Sequence, residues 1–382
     1  MKNLLLRSRR ALGPRCYAAA IVVGAFVTTR FLVMAATHAG AARMTAQKSA
    51  EWAWWPDRDL RFAGVPPPGF LAPTIRWDSN FYISLARAGY PPRPPGPGPN
   101  HHLAFFPLYP LLVRATAGVL GGAFWTAFGL SNFCALAAAL MLVQLGRIDR
   151  QADGLRAAVL FLASPGAHFF AYPYTEALFA ALLAASLLLV RHEKFLLAAI
   201  PGAAAAATRS PGVAAAVGIL AQGWKAAGGT ARSRALAGAA LSLAGVAGFA
   251  FWCHFAQGDA LAFLHVQAFH HRSLSVLGPM KAFLAFDVDP DYYLVSLASL
   301  YVAARMIRRT PIWMWTTAAF LVLLPIATGT LQAMIRYQAA NVPLICGVPP
   351  LARGRKFWWV VAGCAALMAL EAYLFGKGIG HF

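Results

Sequence analysis

The stretch RWDSNFY, residues 76–82, places one carboxylate, Asp78, directly after an arginine and a tryptophan. Acidic side chains are scarce in this chain, which has 13 of them against 33 lysines and arginines. A fixed carboxylate can act as a general base that removes the proton of a hydroxyl group. The same spacing also suits a helix N-cap, because Asp78 or Ser79 would open a helix over residues 80–88 that ends at Gly89.

Isolated cations and a second carboxylate stand at the ends of other apolar segments. Arg209 and Arg336 would bind a phosphate through bidentate hydrogen bonds if they converged, whereas each one alone can extend to lipid headgroups. The adjacent His101 and His102 point in different directions, so they suit hydrogen bonds to a phosphate or a sugar better than joint metal binding. They are equally compatible with ordinary loop histidines. Glu176 opens an apolar run, where it either stabilises a helix N-terminus or orients a substrate hydroxyl.

Further side chains in the same segments complete the set of candidates. Interface aromatics anchor membrane segments as readily as they position a ligand, and both interpretations stay open for them. The cysteines form no metal-ligand pattern, and no glycine-rich phosphate loop is present, so neither a metal nor a cofactor is predicted. Arg76 joins the candidates for binding a phosphate or a sugar. The positioning candidates are Trp77, Tyr82, Tyr109, Tyr172, Glu176, His265, Gln267 and Tyr337.

The composition defines the elements that must hold these residues. Hydrophobic residues make up 59% of the chain and charged residues 12%, with a mean hydropathy of +0.57. Soluble domains carry about 25% charged residues, so the composition excludes a soluble protein and predicts one polytopic membrane domain over residues 1–382. The net charge of +20 comes from short basic clusters between apolar runs, such as 147–150 and 305–309. That arrangement is typical of cytoplasmic loops rather than of a nucleic-acid-binding surface.

About eleven apolar runs divide the chain, several of them shorter than the roughly 20 residues that a perpendicular crossing needs. The segment 103–120 contains two prolines and an arginine, which predicts an interfacial or membrane-embedded helix instead of a span. The pair 195–208 and 211–224 is either two spans or one re-entrant hairpin. The runs are 17–36, 123–146, 154–171, 176–190, 195–208, 211–224, 235–256, 291–306, 311–330, 337–351 and 356–375.

Loop charges predict the orientation of these runs. With a cytoplasmic N-terminus, every basic cluster falls on the cytoplasmic side and every alternate loop falls outside. The loops 37–102 and 257–290 are then the two large extracytoplasmic loops, and the candidate residues lie in outside segments. The working face is therefore predicted to be the outer face of the plasma (inner) membrane, with membrane lipids around it and no nucleic acid bound.

Six short stretches, in the same order as in a known family, resemble the PIG-V family of GT-C glycosyltransferases, and most closely its bacterial branch. The residues that follow Gln267 (FHHR at 269–272) stand where the family tends to have a tryptophan, and the Pro/Gly-rich run 91–99 has no counterpart. The matching stretches are RWDSNFYISLARAGY at 76–90, AFFPLYPLL at 104–112, YPYTEALF at 172–179, ATRSPG at 207–212, GDALAFLHVQ at 258–267 and MIRYQAANVPL at 334–344.

The resemblance implies a GT-C-type helical bundle whose first outer loop carries interfacial helices. It also implies an inverting transfer of a sugar, by expectation mannose, from a polyprenyl-phosphate donor to a glycolipid, glycan or protein acceptor. Asp78 matches the acidic residue of the first outer loop in that superfamily and would be the general base. Arg209 and Arg336, with His101 or His102, would neutralise the departing phosphate.

Two functions from other classes remain open at the level of sequence. A lipid or solute transporter shares interrupted helices and arginines at membrane depth, although the chain shows no convincing internal repeat and its polar residues gather at one face. A non-catalytic subunit that binds a lipid-linked glycan would use the same polar residues without transferring a sugar. Loss of turnover with retained binding after a change at Asp78 separates an enzyme from such a subunit.

Overall fold

A computed structural model describes residues 2–45, 69–93, 100–147, 151–226, 228–269, 272–286 and 288–380. Within these ranges the chain contains seventeen α-helices, four short 3-10 helices and no strand. The prediction of an all-α polytopic membrane protein is thereby confirmed. Parts of the predicted outer loops and of the Pro/Gly-rich run lie outside the described residues, namely 46–68, 94–99, 270–271 and 287.

The α-helices are numbered in chain order. They are α1 Lys2–Ala41, α2 Asp78–Ala88, α3 Leu108–Thr116, α4 Ala123–Leu145, α5 Gln151–Ala163, α6 Glu176–Arg191, α7 Phe195–Thr208, α8 Ala214–Lys225, α9 Gly229–Ser242, α10 Ala244–Gln257, α11 Ala262–Ala268, α12 Gly278–Leu284, α13 Pro290–Met306, α14 Ile312–Ile326, α15 Met334–Ala339, α16 Val342–Leu351 and α17 Arg355–Lys377. The 3-10 helices are Ala72–Thr74, His101–Ala104, Pro165–Ala171 and Ser210–Val213.

Helix α2 follows the predicted bounds closely. It ends at Ala88 because Gly89 adopts a φ of 79° there, a conformation that glycine reaches without a steric penalty. The N-cap interpretation of Asp78 is wrong, since the N-cap residue is Trp77, whose side chain makes no capping hydrogen bond. Ser79 instead closes a turn, with its Oγ bonded to the backbone nitrogen and oxygen of Arg76 at 2.7 and 2.8 Å. The Asp78 carboxylate is thus available for tertiary contacts.

Four described helical segments are long and apolar enough to cross a membrane: Cys16–Ala41 in α1, all of α4, the continuous pair α9 and α10, and α17. A fifth is possible if α5 and the 3-10 helix after it, which meet at a bend of 74°, form one crossing. The other predicted runs fall on helices shorter than about 20 residues. The number of about eleven spans, and the choice between spans and a hairpin at α7 and α8, remain predictions.

The first and last of these spans pack along each other with their C-terminal ends together. Small residues permit this close approach: a Cβ on Gly376 would collide with the backbone oxygen of Thr37, and a Cβ on Gly40 with that of Tyr373. Small side chains are the usual means by which membrane helices come into contact. The outward faces carry exposed apolar side chains, among them Phe31 and Trp359, as lipid contact requires.

We expect Gly376→Val to destabilise the protein by about 1–3 kcal/mol, because the added side chain forces α1 and α17 apart. The measurement is thermal unfolding of the purified protein in detergent. Gly363→Val is the matched control, since Gly363 lies on the same helix and a Cβ there meets nothing within 4 Å. Equal decreases in melting temperature for the two variants would contradict the contact.

Candidate active site

Four separate segments bring their charged residues to one place. Asp78 is the first residue of α2 and Glu176 the first residue of α6, while Arg209 follows α7 and Arg336 lies on α15. The bend after α5 returns the chain through the 3-10 helix Pro165–Ala171 toward Glu176. A glycine stands in that 3-10 helix at 166, where a Cβ would collide with the backbone oxygen of the residue preceding Arg336. The absence of that side chain lets α15 lie beside Glu176.

A continuous ionic network joins these four residues. Arg336 donates from Nε to Glu176 Oε1 and from Nη1 to Asp78 Oδ2, and Arg209 Nη1 donates to the same Glu176 oxygen. The Glu176 side chain is 0% exposed and that of Arg336 6%, whereas that of Asp78 is 24% exposed. Both carboxylates also stand at helix N-termini, where the helix dipole favours negative charge. Asp78 is therefore the carboxylate through which this buried network reaches solvent.

Aromatic rings support the two arginines from their faces. The Arg336 guanidinium lies 5.3 Å from the ring centre of Phe169 and 4.9 Å from that of Tyr174, and Arg209 lies 5.2 Å from that of Tyr337. Such cation–π contacts hold a guanidinium in place and keep its edge free for hydrogen bonds. The Tyr174 hydroxyl also donates to the backbone oxygen of Arg76 at 2.9 Å. Tyr174 thus fixes both an arginine and the chain just before Asp78.

Tyr82 lies one helical turn after Asp78 and bonds to the start of α6. Its hydroxyl lies 3.1 Å from Thr175 Oγ1, which in turn lies 3.5 Å from Arg209 Nη1. Burial raises the pKa of the Tyr82 phenol, so the phenol stays protonated. Thr175 is the N-cap residue of α6, as its position suggests, but its side chain bonds to Tyr82 and Arg209 instead of capping. The contact between the Tyr82 and Thr175 hydroxyls therefore connects α2 to Arg209 and the ionic network.

The backbone directly before Asp78 is strained. Trp77 has φ and ψ angles of 48° and −123°, a region that side-chain-bearing residues rarely adopt and that costs about 1–3 kcal/mol. Its indole ring packs against Phe375 of α17 with the ring centres 4.8 Å apart. Backbone strain of this kind concentrates at functional sites. Here it turns the chain sharply so that the first residue of α2 faces Arg336.

Several predicted site residues have packing contacts instead of contacts to the network. The Tyr109 hydroxyl bonds to Ala127 and Ser131, both at 2.8 Å. The Tyr172 hydroxyl lies 2.6 Å from Thr37 Oγ1, and its ring stacks on a phenylalanine of α17. Both tyrosines are fully buried. Their positions place them under the site as structural support.

His265 is not brought to the network. Its Nδ1 lies 2.7 Å from Asp259 Oδ2, and both side chains are exposed. This hydrogen bond lowers the pKa of the Asp259 carboxyl. Asp259 Oδ1 also accepts from the backbone nitrogen of Leu261, just before the start of α11. The pair forms a local contact at the surface of the predicted outer loop.

The remaining candidates border the site. His102 meets Phe81 of α2 with ring centres 5.2 Å apart, and His101 lies 6.3 Å from Phe269. Arg76 is buried, its Nη1 lies 3.4 Å from the sulfur of Met44, and burial lowers the pKa of its guanidinium to about 10. His102 therefore lies against α2, His101 lies beside the end of α11, and Arg76 lies just before the N-terminus of α2. Gln267 contributes its backbone oxygen, which accepts from the chain at residue 272.

Sequence reasoning missed two residues of this region. Arg272 donates from Nη1 to the Tyr337 hydroxyl, and its guanidinium lies 5.6 Å from that ring, so Tyr337 contacts both Arg272 and Arg209. Asn80 is 2% exposed, and neither of its amide atoms has a hydrogen-bond partner among the described residues. The signal for Arg272 was present in the sequence as the departure after Gln267. No signal marked Asn80 as different from an ordinary helix residue.

The described residues contain no group of three or more His, Cys, Asp or Glu side chains that could hold a metal ion. The side chains of the network are carboxylates and guanidinium groups, with the hydroxyls of Tyr82 and Thr175 beside them. A carboxylate with solvent access beside arginines suits proton removal from a hydroxyl together with binding of an anionic group.

The fold and this network define an integral membrane protein with a largely buried charged site at the ends of its helices. The chain belongs to the mannosyltransferase (PIG-V) family, whose model matches residues 68–299, and this confirms the predicted family. The protein is accordingly a glycosyltransferase of the mannosyltransferase type. The match includes Asp78, Glu176 and Arg209 and ends before Arg336. No protein with a curated description matches the chain.

Proposed function

We propose that this protein transfers mannose from a polyprenyl-phosphate donor to an acceptor hydroxyl, with inversion, at the extracytoplasmic face of the membrane. The observation that carries the proposal is the position of Asp78 at the open end of a buried ionic network. A base must reach its substrate, and Asp78 is the network carboxylate with appreciable solvent exposure. The arginines beside it suit an anionic leaving group.

The proposed reaction is a single displacement. Asp78 removes the proton of the acceptor hydroxyl as that oxygen attacks the anomeric carbon from the face opposite the phosphate. The bond between that carbon and the phosphate oxygen breaks, and its electron pair leaves with the polyprenyl phosphate. Fixed positions for the base, acceptor and donor supply much of the rate by removing the entropy of their encounter.

Arg336 connects the two halves of this reaction. It bonds to Asp78 in the resting network, and that bond loses its charge attraction once Asp78 is protonated. Arg336 is then free to turn toward the phosphate, which gains negative charge in the same step. Arg209 stays bound to Glu176 beside it, and His101 or His102 would contribute hydrogen bonds from the border of the site.

The proposed orientation rests on the contacts between segments. Asp78, Glu176, Arg209 and Arg336 come from four segments that loop charges assign to the same side, and their mutual contacts support that assignment. Basic clusters at the opposite helix ends favour a cytoplasmic N-terminus and a plasma (inner) membrane location. A lipid-linked donor and a glycolipid, glycan or protein acceptor would meet at the outer face.

We expect the purified protein to release polyprenyl phosphate from polyprenyl-phosphate mannose when an acceptor is present, and to release less from the glucose and galactose analogues. The assay is a donor panel in detergent with chromatographic detection of the lipid phosphate. GDP-mannose serves as the comparison donor, and transfer from it would contradict the proposal. Donor binding without release would favour a non-catalytic subunit, and uptake of intact donor by proteoliposomes would favour a transporter.

A further inference from the structure

The arginines linked to the ionic network outnumber its carboxylates. Arg336 and Arg209 are paired with the carboxylates of Asp78 and Glu176. Arg272 contacts Tyr337, the same tyrosine that contacts Arg209, and it has no carboxylate partner in the described part of the chain. Arg336, Arg209 and Arg272 are the three guanidinium groups linked through Glu176 and Tyr337. This linked set carries one more positive charge than its two carboxylates balance, and Arg272 is the member without a carboxylate partner among the described residues.

The Arg272 side chain also has unused hydrogen-bonding capacity. Its Nε is buried and has no hydrogen-bond partner among the described residues, while its Nη1 donates to the Tyr337 hydroxyl. A buried, unpaired donor on a cation costs free energy unless a ligand satisfies it. A guanidinium fixed in this way presents its remaining N–H groups to an oxyanion in a planar arrangement.

The backbone holds Arg272 firmly in this position. Its nitrogen donates to the oxygen of Gln267 at 3.0 Å, and the next residue, Ser273, donates to Thr328 at 3.1 Å. Ser275 donates to Ala327 at 3.0 Å, so the segment after Arg272 is bonded to the turn that follows α14. The arginine is thus anchored between α11 and α14 and is not a freely moving surface side chain.

We propose that Arg272 binds the phosphate of the donor before the reaction, an inference that rests on the proposed function of this site. The phosphodiester that joins a sugar to a polyprenyl chain carries one negative charge. That charge would balance the one positive charge by which the three linked arginines exceed the two carboxylates. Tyr337 links Arg272 to Arg209, so a phosphate bound at Arg272 lies beside the network that contains Asp78. Arg209 and Arg336 are then reserved for the transition state.

The charges remain balanced through the reaction. Proton transfer to Asp78 removes one negative charge from the protein as the leaving group becomes a phosphate monoester with a second negative charge. Arg336, released from Asp78, supplies the matching cation. The linked set of three arginines and two carboxylates is therefore neutral with the donor bound and neutral again with the products bound, as charged groups of low exposure require.

We expect Arg272→Gln to raise the donor KM about tenfold or more, because a charge-assisted hydrogen bond is lost, with a smaller change in kcat. Arg272→Lys should recover part of the affinity, since it restores the charge without the planar arrangement. Lys281→Gln is the matched control: it removes one positive charge from an exposed position in the same predicted outer loop and should leave the KM unchanged. An effect on the acceptor KM alone would overturn the inference.

A binding measurement distinguishes failure of this inference from failure of the proposed function. Citronellyl phosphate, a short polyprenyl phosphate, is titrated into wild type and Arg272→Gln in detergent, with thermal stabilisation as the readout. Weaker binding by the variant supports the phosphate site even if no donor is turned over. Equal binding by both proteins overturns it even if transfer is observed. Equal losses for citronellyl phosphate and short-chain phosphatidylglycerol would indicate a general lipid-headgroup site and would overturn the donor assignment.

Discussion

Asp78→Asn should lower the transfer rate by about 10²- to 10⁴-fold, the usual contribution of a general base, while the protein stays folded. The amide keeps the size of the carboxylate but does not take up a proton. Folding should persist because Arg336 keeps its bond to the fully buried Glu176 and its contacts with two aromatic rings. Release of polyprenyl phosphate measures the rate, and thermal unfolding in detergent measures the fold.

Asp259→Asn is the matched control for this prediction. Asp259 lies in a predicted outer segment, but its carboxylate is exposed and contacts His265 instead of the arginine network. We expect transfer by this variant to equal that of the wild type. Full activity in Asp78→Asn, or an equal loss in both variants, would refute the assignment of Asp78 as the base.

Glu176→Gln should reduce both stability and transfer. The Glu176 carboxylate is fully buried and accepts hydrogen bonds from Arg209 and Arg336 through one oxygen. Removing its charge leaves two buried guanidinium groups with one carboxylate, and loss of one partner of a buried ion pair costs about 3–5 kcal/mol. Transfer should fall as well, because Arg336 then binds Asp78 alone and both arginines lose their shared anchor.

Two further variants serve as controls for the Glu176→Gln prediction. Glu193→Gln changes an exposed glutamate at the opposite end of the same helical segment, and we expect a stability change within about 0.5 kcal/mol. Glu176→Asp keeps the charge on a shorter side chain and should be intermediate in both melting temperature and turnover. A Glu176→Gln protein as stable and as active as the wild type would show that the buried network does not hold the site together.

The parts of this site that follow from local signals could be predicted from the sequence. The bounds of α2 depend on a glycine at its end and on apolar spacing, and the scarcity of acidic residues marked Asp78 and Glu176. Charge-sorted loops also placed Asp78, Glu176, Arg209 and Arg336 in one group. These inferences need no knowledge of how distant helices pack.

What depends on packing could not be predicted in this way. Arg336 and Glu176 are 160 residues apart in the chain, and they meet because of a helix bend and a close approach at Gly166. Loop membership says nothing about the direction of a side chain, so His265 and Tyr172 were grouped with residues that they do not contact. Arg272 was overlooked because what distinguishes it, the lack of a carboxylate partner among the described residues, is visible only once the helices are packed.

The side-by-side packing of α1 and α17 constrains the number of membrane crossings. They pack along each other with their C-terminal ends together, so the two spans run in the same direction and must be separated by an odd number of crossings. The total from α1 to α17 is then odd, a condition that eleven crossings meet and ten or twelve do not. Treating α7 and α8 as a re-entrant hairpin removes two crossings and preserves this parity. Residue 377 accordingly lies on the same side of the membrane as the charged site, opposite the start of α1.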